Sequence, residues 1–429
     1  MEVLRSETFN YITTGYSNFA IFATSNSIIF IDEKKYQIMN KKIAYSIFAL
    51  IFIIGACKKD ETKVDTPTSR ESYLWGISMY GGTANQGTIF KMKRDGSSYS
   101  EAHSFENSTG VDPTSIIPVD ANTFLGTTLS GTFFEFNVNT STYTSRFSIT
   151  DPTLQGALPV GDPVLYNGKY YGMCSAGGAS GDGAIYSYDK SSAAYSMLFE
   201  FSASISGKSP EAGLVLADNH KFYGCTSQGG VNNYGVLFSF NPANNTYNKI
   251  HDFDMVDGMM PVGKIIKASD GKLYGLTSYG GLTGSPGTIF KIDPSTDVFS
   301  TLYNFPTDGL TGMNPFGGFI EKNGILYGTT DNGGVNNSGV IFKFDPSSFT
   351  FQKLYDFSPG NDGNSPNCDL IFGSDGKIYG HTIFGGGYNH GTAFSYDVTN
   401  NTYTKIHDFG SAAGTGVYMT GSSHSFVEF

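Results

Sequence analysis

From residue 73 onward the chain repeats itself with a step of 52 residues, and a period of that length leaves few folds open. Lys221-Phe-Tyr-Gly-Cys-Thr-Ser-Gln-Gly-Gly, Lys272-Leu-Tyr-Gly-Leu-Thr-Ser-Tyr-Gly-Gly and Lys377-Ile-Tyr-Gly-His-Thr-Ile-Phe-Gly-Gly are one phrase written three times. Each leads through a small-residue loop to a further glycine and an apolar run. Those glycines fall at 87, 131, 183, 235, 287, 339 and 391, the last five steps being 52 residues each. Phe201, Phe253, Phe305, Phe357 and Phe409 keep the same step.

Within a unit, alternation and turn residues mark four strands. Around Gly287 the reading gives strand a over Val262–Ala268, strand b over Lys272–Ser278, strand c over Gly287–Asp293 and strand d over Val298–Phe305. Four short antiparallel strands in about 50 residues make a propeller blade. Thr288-Ile-Phe-Lys-Ile is apolar on both faces, as a blade packed between two others requires. A solenoid would need polar end caps, and neither end supplies one.

The first unit opens on strand b at Tyr73-Leu-Trp-Gly, without a strand a before it. The chain finishes with Ser423-His-Ser-Phe-Val-Glu-Phe429, where other units place strand a. The expectation is an all-β, seven-bladed propeller over residues 73–429 whose first blade is closed by the C-terminal strand. Residues 423–429 should pair with Tyr73–Ser78 and bury Phe426 and Val427. Unit 2 lacks its Gly-Gly loop, so its b–c turn should be tight. Glycine (54 residues) and aromatics (15%) fit that class, while a net charge of −11 excludes nucleic acid as a partner.

Upstream, Met39-Asn-Lys-Lys and the apolar run Ile43–Ala56 read as a signal peptide over 39–56, too short to span a membrane comfortably. Ile54-Gly-Ala-Cys57 resembles the bacterial lipobox, which makes Cys57 the lipidation site. Lys58-Lys-Asp-Glu resembles the signal that sends Bacteroidetes-type lipoproteins to the outer face of the outer membrane. Residues 57–72 are then a lipidated cysteine and its flexible tether. Residues 1–38 read as a start assigned too early or a disordered extension. Membrane contact is expected through the lipid anchor alone.

Tyr-Gly…Gly-Gly…Gly-Thr-Ile-Phe-Lys…Leu-Tyr-Asn-Phe…Asp-Gly…Pro resembles the Gloeobacter/Verrucomicrobium-type tandem repeat. The likeness is sharpest in units 4 to 7 and weakest in unit 2. It implies an exported protein and no particular chemistry. The topology is also similar to kelch propellers, although the paired tryptophan-containing kelch signature is absent.

Candidate chemistry is sparse. His103, His251 and His407 share one repeat position with Phe199, Tyr303 and Tyr355, a packing slot. His381 and His390 lack a third ligand partner, so no metal or other cofactor is assigned. Asp257, Asp308 and Asp362 precede glycine and suit turns better than a calcium loop. Cys174, Cys225 and Cys368 read as buried thiols; the opposite strand parity of the first two lets them face each other or both face away. No nucleophile elbow, zinc-protease helix or phosphate loop is present, which leaves catalysis unassigned.

The residue before each Gly-Gly pair changes freely: Tyr80, Ala176, Gln228, Tyr279, Asn332, Phe384. Variation on a constant frame suits recognition. Tyr80, Gln228, Tyr279, Asn332, Phe384 and Tyr388 are therefore the candidate ligand-binding residues, for a glycan or a protein partner. The alternative is a carbohydrate-active hydrolase or lyase with acidic residues near the central channel.

Overall fold

The computed structural model of the chain describes residues 19–24, 27–32, 72–282, 284–410 and 426–429. Two compact units are distinguished, 1–70 and 71–429. In the first, Phe19–Thr24 and Ser27–Asp32 pair as an antiparallel ladder. The signal segment, Cys57 and the tether lie outside the described residues.

The second unit is a ring of seven four-stranded antiparallel sheets, the seven-bladed propeller that the repeat implies. Blade 1 takes its strand a from Val427–Glu428 and continues with Tyr73–Ser78, Thr88–Lys93 and Ser100–Ser104. Trp75 pairs with Val427 and Leu74 with Glu428. Tyr73 and Phe429 exchange both backbone hydrogen bonds, at 2.7 and 3.0 Å. Phe426 is buried against Phe90, Leu74 and Phe409, whereas Val427 is only half-buried. Residues 423–425 of the expected closing strand lie outside the described residues. In blade 2 the turn between Thr123–Thr128 and Thr132–Asn137 is tight as expected, Gly131 N–H donating to Thr128 O.

The repeated words have steric causes. The glycine of each Tyr-Gly pair lies opposite a strand-c aromatic, as Gly328 does opposite Phe342 and Gly380 opposite Phe394. A Cβ on either would sit 2.8 or 2.7 Å from the tip of that ring. The aromatic thus lies flat across the strand, and only glycine leaves it room. Gly339, with φ +91°, packs on Pro366 of the next blade, which ties the repeated proline to the repeated glycine.

Strand a is shorter than its sequence suggests. Val262–Ala268 contributes only Ile266–Lys267 to the ladder of blade 5. Residues ahead of it run close against the neighbouring inner strands, where a Cβ on Gly263 would lie 2.5 Å from Gly317 O. Packing between inner strands replaces pairing within the sheet there. One turn of helix, Pro152–Gln155, capped by Asp151, interrupts the loop into blade 3.

Outer strands are joined by side chains. Seven stacked ring pairs, one at each blade boundary, run around the propeller. They include His103–Tyr143, Phe199–Tyr247, His251–Phe299 and Tyr355–Tyr403, with centroids 4.1–4.3 Å apart. The others are Phe147–Tyr195, Tyr303–Phe351 and, across the closure, Tyr99–His407. The histidines are packing residues, as their shared slot implied. Cys174 and Cys225 face away from each other. One packs at the boundary of blades 2 and 3, the other at that of blades 4 and 5. Both are free, as is Cys368. Burial pushes the thiols of Cys174 and Cys368 up to about 12.

Candidate functional site

Up-and-down strand order puts the b–c and d–a loops of every blade on one face, and the a–b and c–d turns on the other. In each regular b–c loop an asparagine in left-handed conformation folds back onto the glycine pair. Asn85, Asn233, Asn337 and Asn389 accept from Gly81, Gly229, Gly333 and Gly385 N–H at 3.0–3.1 Å. The last residue of strand d then clamps the loop. Asp252, Asp356 and Asp408 accept from Val231, Val335 and Gly387 N–H at 2.8–3.0 Å, and Asn304 does the same for Leu282. A lysine three residues earlier pairs with each aspartate: Lys249, Lys353 and Lys405, at 2.7–2.8 Å.

The variable residue of each loop is fixed on both sides. Gln228, Tyr279, Asn332 and Phe384 form backbone bridges to Lys208, Met259, Met313 and Asn364 of the adjoining d–a loop. Their carbonyls also accept from Thr226, Thr277, Thr330 and Thr382 hydroxyls at 2.8–3.1 Å. Tyr80 O is held likewise by Ser78. The backbone is therefore constant while the side chain is free to differ. Tyr80, Tyr279, Phe384 and Tyr388 are exposed, at 39–51%. Gln228 and Asn332 are half-buried, and the Asn332 amide is engaged by Asp331 at 2.8 Å.

Exposed apolar side chains concentrate here. Among the described residues sixteen large apolar side chains are exposed. Only Leu165, Val298 and Phe349 belong to the opposite side; the remaining thirteen lie in b–c or d–a loops or at the start of strand a. The aspartates that precede glycine do turn work on this face. Asp257 pairs with His251 at 2.6 Å, Asp362 accepts from Tyr355 OH at 2.6 Å, and Asp308 accepts from Leu310 N–H. No group of three or more His, Cys, Asp or Glu side chains among the described residues is arranged to hold a metal ion.

A second cluster lines the channel, and sequence reasoning missed its members. Ser115, Asp162, Gly213, Lys264, Gly318 and Asp369 occupy one equivalent position on successive inner strands. Lys264 Nζ reaches across Gly213 to Asp162 Oδ2 at 3.0 Å, and Ser115 Oγ donates to Asp162 Oδ1 at 2.7 Å. Asp369, 7% exposed, accepts from Gly318 N–H at 2.6 Å. Side chains at 213 and 318 would fill the gaps that the ion cluster spans; a Cβ at Gly318 would lie 2.9 Å from both Asp369 Oδ1 and Lys264 Cβ. Burial, opposed by Lys264, pushes the Asp369 carboxyl up to about 6. Asp162 holds the Lys264 ammonium above the usual lysine range. The sequence signal was present as a repeat position that alternates charge with glycine.

Among solved structures the chain is similar to a Bacteroides fragilis protein assigned as a 6-phosphogluconolactonase. They share 15% identity and a TM-score of 0.55, over 85% of this chain and all of that one. It is also similar to puromycin hydrolase, at 15% identity and TM-score 0.51, over 79% of this chain. The extracellular domain of a one-component system from B. thetaiotaomicron matches 71% of the chain at 13% identity and TM-score 0.48. The chain spans only 52% of the hydrolase and 37% of the latter protein. The first two likenesses bear on fold alone. Among curated proteins none matches. Among the described residues no helix is long and apolar enough to cross a membrane. The Gloeobacter/Verrucomicrobia repeat model matches residues 63–285 and 255–424, essentially the whole propeller, and the chain belongs to that family.

Proposed function

We propose that this protein is a cell-surface lipoprotein, anchored in the outer membrane through Cys57, whose propeller is a non-enzymatic recognition or scaffold module. It engages a glycan or protein through the b–c/d–a face. The observation that carries the reading is the lopsided placement of exposed apolar side chains, thirteen of sixteen on that face. Rigid loops reduce the ordering cost of binding. Strand polarity adds support, because Tyr73 opens strand b at the end remote from the b–c loops. The b–c/d–a face is thus the one opposite the end of strand b at which the described propeller chain begins.

The test combines a glycan and protein-ligand array with polysaccharide cleavage assays. Binding without product release, weakened by loop-tip substitutions, supports the module. Labelled fatty acid that still enters Cys57→Ser protein would refute the anchor.

A second reading, a hydrolase or lyase working from the channel, draws on Asp369. A buried carboxyl that titrates near 6 is suited to proton transfer. Sugar release abolished by Asp369→Asn would favour it.

A further inference from the structure

One stretch of the recognition face is concave as well as apolar. Between the d–a loop 253–265 and the b–c loop 278–287 lies a cleft of about 400 Å³. Its walls are Met255, Val256, Met259, Tyr279 and Pro286, and its floor is bare glycine. Gly280 is glycine for a steric reason, since a Cβ there would lie 3.0 Å from the Gly258 backbone. Gly281 N–H donates to Met255 O at 2.9 Å, and bridges Met259–Tyr279 and Gly280–Pro286 frame the two sides. The cleft is thus preformed.

Besides the Tyr279 hydroxyl, its two polar side chains already donate within the protein. Ser285 Oγ donates to Leu282 O at 2.7 Å, and Asn314 Nδ2 donates to Ser278 O at 2.9 Å. A sugar ring brings many hydroxyls that would lose water and find few partners here. An apolar side chain brings no such cost, and methionine walls adapt to its shape.

Charge identifies what surrounds that side chain. The b–c and d–a loops carry eleven Asp and Glu against two lysines, Lys208 and Lys264. The a–b and c–d turns of the opposite face are balanced, five acidic against five basic. Around the cleft, residues 253–263, 278–287 and 305–319 contain Asp254, Asp257 and Asp308 and no lysine or arginine. Lys264 itself is turned to Asp162 in the channel.

We propose that the cleft between blades 4 and 5 seats an apolar side chain of a basic polypeptide segment, whose lysines or arginines face Asp254, Asp257 and Asp308. This rests on the reading of the b–c/d–a face as the recognition surface and narrows it to one partner class.

The test uses full-length Cys57→Ser protein and short fluorescent peptides: alternating Lys/Leu, alternating Glu/Leu, and Lys/Ser without apolar residues. Cellohexaose serves as the neutral sugar. The Lys/Leu peptide should bind at least about tenfold more tightly than either other peptide, and weaken severalfold at about 1 M salt. Met255→Ser with Tyr279→Ala should cost about tenfold. Phe349→Ser, in the c–d turn of blade 6 on the opposite face, should change nothing. Equal binding of the Glu/Leu peptide, no peptide binding at all, or Lys/Leu affinity untouched by the cleft variant would overturn the proposal. Cellohexaose binding that Tyr279→Ala abolishes would also overturn it, yet would leave the face itself standing as the recognition surface. If no face variant affects any ligand, both readings fall.

Discussion

His407 of the last blade stacks on Tyr99 of the first, ring centroids 4.4 Å apart and planes 15° from parallel. Its neighbours on one side are Phe409 and on the other the strand-d edge of blade 1, so the imidazole is held much as a phenyl ring would be.

Burial holds His407 and His103 below the ordinary histidine range. Unfolding lets both take up protons more readily, so the unfolded state binds more protons and stability falls as the pH is lowered. The loss should begin near 6.5 and continue down to the lower folded values. His407→Phe should keep the stack and flatten part of that slope. Urea unfolding between pH 5 and 7.5 checks it; an unchanged slope in the variant would show that the ring is not held neutral.

Asp369 works with the opposite sign. Its folded value of about 6 lies above its ordinary 3.8, so the folded state binds more protons in that window. Its contribution is favourable below 3.8, is lost as pH rises to about 6, and leaves a cost at neutral pH on the order of 2–3 kcal/mol. Asp369→Asn should be more stable than the parent above pH 6 and no longer vary through the window. Thermal melts at pH 4, 5, 6 and 7 decide it.

Phe426 is 2% exposed and meets Phe90 edge-on at 6.3 Å. Phe426→Ala should destabilise the propeller by about 3–5 kcal/mol. Deleting 426–429 should expose strand b of blade 1 and promote aggregation, measurable by light scattering. A monomeric truncation of parental stability would contradict the closure.

Gly328→Ala places a methyl group 2.8 Å from the Phe342 ring. A cost of about 1–3 kcal/mol is expected, because the ring is packed between blades and cannot yield. The same substitution at Gly360, which faces open space, should be nearly neutral. Equal melting temperatures for the two variants would refute the steric account of the Tyr-Gly word.

Replacing Tyr80, Tyr279 and Phe384 together by alanine should weaken a face ligand by about 0.5–1.5 kcal/mol per lost contact, with the melting temperature unchanged. Their backbones stay fixed by the bridges and hydroxyls, which the substitutions do not touch. Calorimetric titration beside a thermal melt reads both quantities.

What was legible in the sequence was whatever repeats within one blade. The 52-residue step gave blade number, and strand parity placed Cys174 and Cys225 in one of two arrangements. The aromatic slot of His103, His251 and His407 could be recognised, but its stacking partners could not. Tyr143, Phe299 and Tyr99 belong to the next blade, and their approach depends on the angle between sheets. Asp162, Lys264 and Asp369 escaped for a related reason. They lie on alternate blades, and only closing the ring, with glycine at 213 and 318, lets one ammonium serve between two carboxylates. Strand a was overestimated because an apolar run beside the axis finds packing partners before ladder partners.

The seam where Val427–Glu428 meets Tyr73–Ser78 lies inside blade 1 and is a paired a–b ladder like that of the other blades, while the boundary of blades 7 and 1 beside it has the stacked outer pair and buried aromatic cluster of the other six. Mechanically it is one more joint rather than a clasp. Tyr73 and Phe429 already share two hydrogen bonds, so a short peptide spliced between the ends could carry the chain across. The ring could then be opened instead at another outer turn, such as 242–245 between strands c and d of blade 4. In such a body the order in which blades are read along the gene is a matter of bookkeeping, and load is shared around the circle without a first or last link.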